Sequence, residues 1–192
     1  MARRLALATI ALVLAASAAV IFAGFATPGY DQMSRTVSRL AVQGMPFAGL
    51  VDAAIAVIGV ACLALATAMQ RRRALLLAGA GFIGSALVRL DPASPAATTA
   101  HRALTGLAVL SLALAPFAAR GYGRLSTVLG ALALALLVGA AFLVPTRFSA
   151  WGAWERLLLA VQVGWMVTTA LKVASADDRT AAPAAIASSA GT

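Results

Sequence analysis

A chain of 192 residues that is 62% hydrophobic and only 11% charged, with mean hydropathy +0.94, has too few polar side chains to coat a water-soluble globule; a soluble domain carries about 25% charged residues. The net charge of +9 does not single out nucleic acid as a partner, because lysine is nearly absent (Lys172) and the arginines are scattered between apolar runs. The single cysteine, Cys62, excludes an internal disulfide or a multi-thiolate metal site and reads as a small buried hydrophobe.

A bilayer core about 30 Å thick needs roughly 20 apolar residues of helix. Six segments qualify: about 5–25, 49–69, 74–90, 104–119, 125–145 and 154–173. None alternates with the two-residue period of a barrel strand, so the chain reads as all-α. The expected architecture is a polytopic membrane protein, a six-transmembrane-helix bundle over residues 1–174, with a disordered cytoplasmic tail at 175–192. At the start, Arg3–Arg4, an apolar core and Ala16-Ser17-Ala18 imitate a secretory signal peptide. The apolar run continues to Phe25, which favours an uncleaved first helix.

The first loop, Ala26 to Ala48, is too long to be only a connector. Met33, Val37, Leu40 and Ala41 share one helical face, with Asp31, Ser34, Arg35 and Ser38 on another, so the pattern predicts a short interfacial helix with Asp31 or Ser34 as its cap. Asp52 enters the second span about one turn below the surface, where a charge needs a partner. Arg35, Arg39, Arg89, Arg102 and Arg156 stand at similar depth.

The third span contains AGAGFIGSALVRL, in which Gly79, Gly81 and Gly84 spell the G-x-G-x-x-G of dinucleotide-binding folds. That reading needs a preceding strand and an acid about 20 residues later. Here the motif lies mid-span, Asp91 comes too early, and neither Tyr30 nor Tyr122 is followed four residues later by the lysine of a dehydrogenase. The expectation is close helix packing on small residues and no NAD.

His101 begins the fourth span beside Arg102 and is expected to hydrogen-bond a carboxylate such as Asp91. As the only histidine it forms neither a bis-histidine haem site nor a three-histidine zinc site, and no cofactor or metal is expected. Trp151 and Trp154 mark the interface where the last span starts, next to Glu155 and Arg156. The expected ligand-binding set is therefore Asp31, Ser34, Arg35, Ser38, Arg39, Asp52, Arg89, Asp91, His101, Arg102, Glu155 and Arg156, with no catalytic residue. Two readings of it stand: ion pairs that staple helix ends, or an outward-facing pocket whose surplus arginines meet an anionic lipid head or other small acid.

Arginine counting orients the chain. With both termini cytoplasmic, the inner side holds Arg3, Arg4, Arg71, Arg72, Arg73, Arg120, Arg124, Lys172 and Arg179, against six basic residues outside. The arginine turns at Gln70–Arg73 and Arg120–Arg124 are expected to touch anionic headgroups, so membrane lipids are the expected partners and the plasma membrane the location. The alanine- and arginine-rich, lysine-poor composition points to a high-GC bacterium.

The segment Gly29-Tyr30-Asp31-Gln32-Met33-Ser34-Arg35-Thr36-Val37-Ser38-Arg39-Leu40 resembles the first-loop signature of the integral membrane proteins called domain of unknown function 998, which typically read Tyr-Asp-Pro-Leu-Ser-x-Thr-x-Ser-Glu-Leu. Gly44 and Gly59, the pair His101–Arg102, and Gly152-x-x-Glu155-Arg156 resemble the same family, and the resemblance spans about residues 5–173. It implies the six-helix topology and no particular reaction. Gln32 replaces the usual proline, and Arg39 stands where an acid is common, which changes the sign of one charge in the loop.

Function is thus read as non-catalytic, with ligand or lipid binding at the outer rim. A small transporter is the alternative; against it, no long inverted repeat is visible and no span is clearly broken except near Pro116. A homo-oligomer would supply the size a transporter needs. The second alternative is a membrane-embedded hydrolase using His101, Asp31 or Asp91, and a serine such as Ser34, Ser38 or Ser94.

Overall fold

A computed structural model describes residues 1–69, 73–119 and 123–189, with side chains described as far as 176. Among the described residues every regular element is helical: α1 (Ala2–Ala26), a 3-10 turn (Val37–Arg39), α2 (Ala48–Ala68), α3 (Arg73–Leu87), α4 (Pro95–Ala118), α5 (Gly123–Leu143) and α6 (Trp151–Ser189). Five are long and apolar enough to cross a membrane; Arg73–Leu87 is apolar but has only 15 residues. The backbone of 175–189, which composition reads as a tail, continues α6, as its run of alanines permits.

Each helix packs against the next, and α6 packs back on α1, so the six helices form a closed ring. Matched contacts run in opposite order along neighbours: Gly59 meets Ile83 while Leu63 meets Gly79, and Trp154 reaches Leu136 while Trp165 reaches Ser126. The ring is therefore antiparallel throughout. Its interior is built from small residues with a few larger plugs, among them Leu65, Leu75, Trp165 and Met166. Its exterior carries the bulky apolar groups, including Phe22, Phe25, Leu87, Leu114, Phe142 and Leu171. A protein that exposes large hydrophobic side chains on all six helices is built for hydrocarbon solvent.

The glycines of G-x-G-x-x-G explain the tight middle of this ring. A Cβ on Gly79 would stand 2.8 Å from the Gly59 carbonyl of α2, and one on Gly81 would stand 2.8 Å from the Leu104 carbonyl of α4. Gly84 leaves space for the Leu104 side chain. One α3 face thus meets α2 and the other meets α4 backbone to backbone, as small residues allow in membranes. Because the obstructing atoms are main chain, Gly79→Leu should force α2 and α3 apart and remove the folded monomer band in detergent. Gly106→Leu, where nothing lies within 4 Å, should leave it intact.

Element ends differ from expectation where local signals intervene. The fourth helix starts at Pro95 instead of 104, because Ser94 accepts from the Ala97 amide (3.3 Å) and Pro95 occupies the first turn. The third ends at Leu87, not 90. In place of a helix carrying Met33 to Ala41, the loop holds a single 3-10 turn, with Val37, Leu40 and Ala41 buried and Met33 60% exposed. Gly29 (φ +68°) and Gly44 (φ +92°) turn the chain into and out of this segment, in a conformation that costs only glycine nothing. Residues 70–72 and 120–122, holding most of the two expected arginine turns, lie outside the described residues.

Candidate functional site

The polar residues collect at one end of the ring, where α1, α3 and α5 finish and α2, α4 and α6 begin. The α1–α2 loop folds back over that end. Its apolar underside, Tyr30, Val37, Leu40 and Ala41, packs with Ala23 and Val51 into a small core of its own.

The start of α6 holds the loop in place. Gly152 has no side chain because the loop backbone occupies that space: a Cβ there would collide with the carbonyl oxygens of Gln32 and Arg35. The next residue, Ala153, donates its amide to the Met33 carbonyl (3.0 Å). Glu155 Oε2 accepts from the Val37 amide at 2.5 Å. Arg156 Nη1 donates to the carbonyls of Gln32 (2.7 Å), Arg35 (3.0 Å) and Gly152 (3.0 Å), and its Nη2 donates to the Tyr30 hydroxyl (3.1 Å). That hydroxyl shares its own proton between the Arg35 and Thr36 carbonyls, 2.9 and 2.8 Å away. Burial pushes the Tyr30 phenol above its ordinary range, and Arg156 opposes the shift.

The remaining acids are committed locally. Asp31 closes a turn by accepting from the Met33 amide (2.9 Å) and the Ser34 hydroxyl, which chiefly hold its carboxyl below the usual aspartate range. Asp91 accepts from the Ala93 amide at 2.9 Å. Asp52, buried in α2, has Arg89 Nε 2.5 Å from its Oδ2, with the arginine side chain half exposed. His101 does not reach Asp91 as expected. Its Nδ1 lies 3.0 Å from the Ser85 carbonyl and 2.8 Å from that of Val88, so it caps the end of α3. The reason is that α3 stops early and leaves C-terminal carbonyls in need of a donor.

Between the loop, α4 and α6 lies a cavity of about 760 Å³, lined by Ser34, Arg35, Thr36, Ser38, Arg39, Val42, Met45, Leu90, Arg102, Thr105, Trp151 and Glu155. Three guanidinium groups face one carboxylate, and that carboxylate is already bonded to Val37. Among the described residues no hydrogen bond or ion pair engages the side chains of Arg39 and Arg102. The expected set thus divides in two. Ser34, Arg35, Ser38, Arg39, Arg102 and Glu155 share the cavity. Asp31, Asp52, Arg89, Asp91, His101 and Arg156 are held in turns, an ion pair and helix ends.

The geometry joins the Tyr30–Leu40 segment and the Gly152-x-x-Glu155-Arg156 motif into one unit. A family model for a protein of unknown function (DUF998) matches residues 9–172. The chain belongs to this DUF998 family. The match covers both halves of the loop–α6 unit and runs through all six helices, from Thr9 in α1 to Lys172 in α6. No curated protein and no solved structure matches the chain. Tyr30, Thr36, Val42, Met45, Leu90, Thr105 and Trp151 belong to the site or its support without having been singled out as ligand contacts from sequence. For Tyr30 and Trp151 the signal was present, in the loop signature and the aromatic interface.

Proposed function

We propose that this DUF998 member is a non-catalytic multi-pass protein of the plasma membrane that binds an anionic amphiphile, such as an acidic lipid head, in the cavity under its first loop. The observation that carries this reading is that Arg39 and Arg102 both line a cavity of about 760 Å³ and, among the described residues, have no hydrogen bond or ion pair on their guanidinium groups. That volume falls in the range of about 300–1,000 Å³ typical of sites for drug-sized ligands. The lining combines cations, hydroxyls (Ser34, Thr36, Ser38, Thr105) and apolar surface (Val42, Met45, Leu90, Trp151), which suits a charged head with an apolar body. The hydrolase alternative loses support because Ser34 and Ser94 serve as turn and cap partners, and His101 Nδ1 is taken up by carbonyls.

Native mass spectrometry after purification in mild detergent tests the proposal. Wild type should retain an anionic lipid or acid at defined stoichiometry, and Arg39→Glu or Arg102→Glu should lower retention at least tenfold. A hydrogen bond to a charged group contributes about 1.5–3 kcal/mol, and tenfold corresponds to about 1.4 kcal/mol. Equal retention of bulk lipid by all three proteins would overturn it.

The cavity would open outside the cell, with both termini cytoplasmic, as the arginine distribution favours. Alkaline phosphatase inserted after Gly44 should then be active, and inserted after Gly121 inactive. The reverse pattern would invert the topology.

A further inference from the structure

Thr105 follows Arg102 by one turn of α4, and both line the cavity. A helical threonine commonly donates its hydroxyl to the carbonyl four residues earlier, as Thr9, Thr67 and Thr99 do in this chain. Thr105 does not: its Oγ1 is buried and has no hydrogen-bond partner. A buried hydroxyl left in that state costs free energy until something outside the chain supplies an acceptor. The loop brings Arg35, Ser38 and Arg39 to the same cavity. The only carboxylate in the lining, that of Glu155, is bonded to the Val37 amide.

Charge then limits what can fill the space. Three arginines against one carboxylate leave the lining with a surplus of two positive charges. Across this whole end of the ring, six arginines against four carboxylates leave the same surplus. The guanidinium fork fits the oxygens of a carboxylate or a phosphate. A carboxylate or a phosphodiester brings a single negative charge. A phosphomonoester brings about 1.5–2 negative charges at pH 7 and three acceptor oxygens. We propose, on the reading of the cavity as a site for an anionic amphiphile, that the bound head is a phosphomonoester, gripped by Arg35, Arg39 and Arg102 while the Thr105 hydroxyl donates to it from deeper in the bundle. Such a head cancels the surplus, whereas a monoanion leaves one guanidinium without a counter-charge. Inorganic phosphate offers the same oxygens but nothing for the apolar wall around Trp151.

The test offers the purified full chain, stripped of lipid in mild detergent, equal amounts of phosphatidic acid, phosphatidylglycerol and phosphatidylcholine with identical acyl chains. Inorganic phosphate is added in a parallel sample, and native mass spectrometry counts what is bound. Phosphatidic acid should be retained roughly tenfold over phosphatidylglycerol, and an equal concentration of inorganic phosphate should not displace it. Thr105→Val, which removes the hydroxyl and keeps the branched shape, should lose most of that preference. It should not lower the unfolding temperature of the ligand-free protein, because the hydroxyl has no internal partner to lose. Thr105→Ser should keep the preference. If Thr105→Val does not fold, the lipid ranking of the wild type decides. Equal retention of phosphatidic acid and phosphatidylglycerol, both above phosphatidylcholine, would overturn the phosphomonoester and leave the anionic-amphiphile reading standing. No preference for either over phosphatidylcholine would sink both, unless inorganic phosphate binds alone, which keeps the phosphate chemistry and removes the amphiphile. An unchanged preference in Thr105→Val would refute the part given to the hydroxyl.

Discussion

Replacing Arg89 with alanine is expected to destabilise the folded protein more than replacing its partner Asp52 with asparagine. Asp52 is 7% exposed on the second turn of α2, and the Arg89 guanidinium is the cation that faces it. Removing one member of a buried pair strands the other charge, at a cost of about 3–5 kcal/mol. Arg89 is half exposed, so the lower part of that range is expected after allowance for solvent screening. Asparagine at 52 carries no charge to strand. The double variant Asp52→Asn/Arg89→Ala should therefore recover most of the Arg89→Ala loss. Denaturant titration in detergent with all four proteins of the cycle would measure this coupling. Simple additivity would show that the pair is ornamental.

The second large effect is expected at Arg156. Its guanidinium holds three carbonyls and the Tyr30 hydroxyl, and it lies 5.7 Å from the Tyr30 ring centroid. Each charge-assisted hydrogen bond contributes about 1.5–3 kcal/mol, so Arg156→Ala should release the first loop without unfolding the bundle. Amide exchange at residues 33–41 should accelerate at least a hundredfold, which corresponds to about 2.7 kcal/mol, while exchange in α2 and α3 stays unchanged. Lysine should rescue poorly, because an ammonium cannot serve acceptors on both sides of a planar fork. Gly152→Val should reproduce the alanine phenotype by the opposite route, since its side chain would occupy the space of the loop backbone. Unaltered loop protection in Arg156→Ala would mean that Glu155 and the apolar underside suffice.

Much of the fold was legible because the membrane reduces the problem to hydrophobic run length and arginine position. The span centres, the helical reading of Gly79–Gly84 and the buried Cys62 all follow from that logic. The errors fall where a local signal overrides hydropathy. Ser94–Pro95 begins α4 well before its apolar stretch, and early termination of α3 redirects His101 from Asp91 to two carbonyls. In the first loop, the four apolar positions read as one helical face, yet three turn inward and Met33 turns out. Their periodicity is a consequence of packing on Ala23 and Val51, not of a continuous helix. The twelve expected site residues do gather at one end of the ring, but sequence distance concealed their division of labour. Nothing in linear order says that Gly152 is empty so that Gln32 and Arg35 can approach, or that Glu155 spends its carboxylate on the Val37 amide.

The closure of the ring through α1 and α6 has a consequence for biogenesis. When the first two helices leave the ribosome, the segment between them has its hinges and its hydrophobic underside but no wall to lean on. That wall arrives only with the sixth helix, more than a hundred residues later. Insertion of the early spans and maturation of the pocket are therefore separate events in time. A premature stop before Trp151 would give a membrane-embedded product with an unmoored first loop, a ready substrate for quality-control proteases.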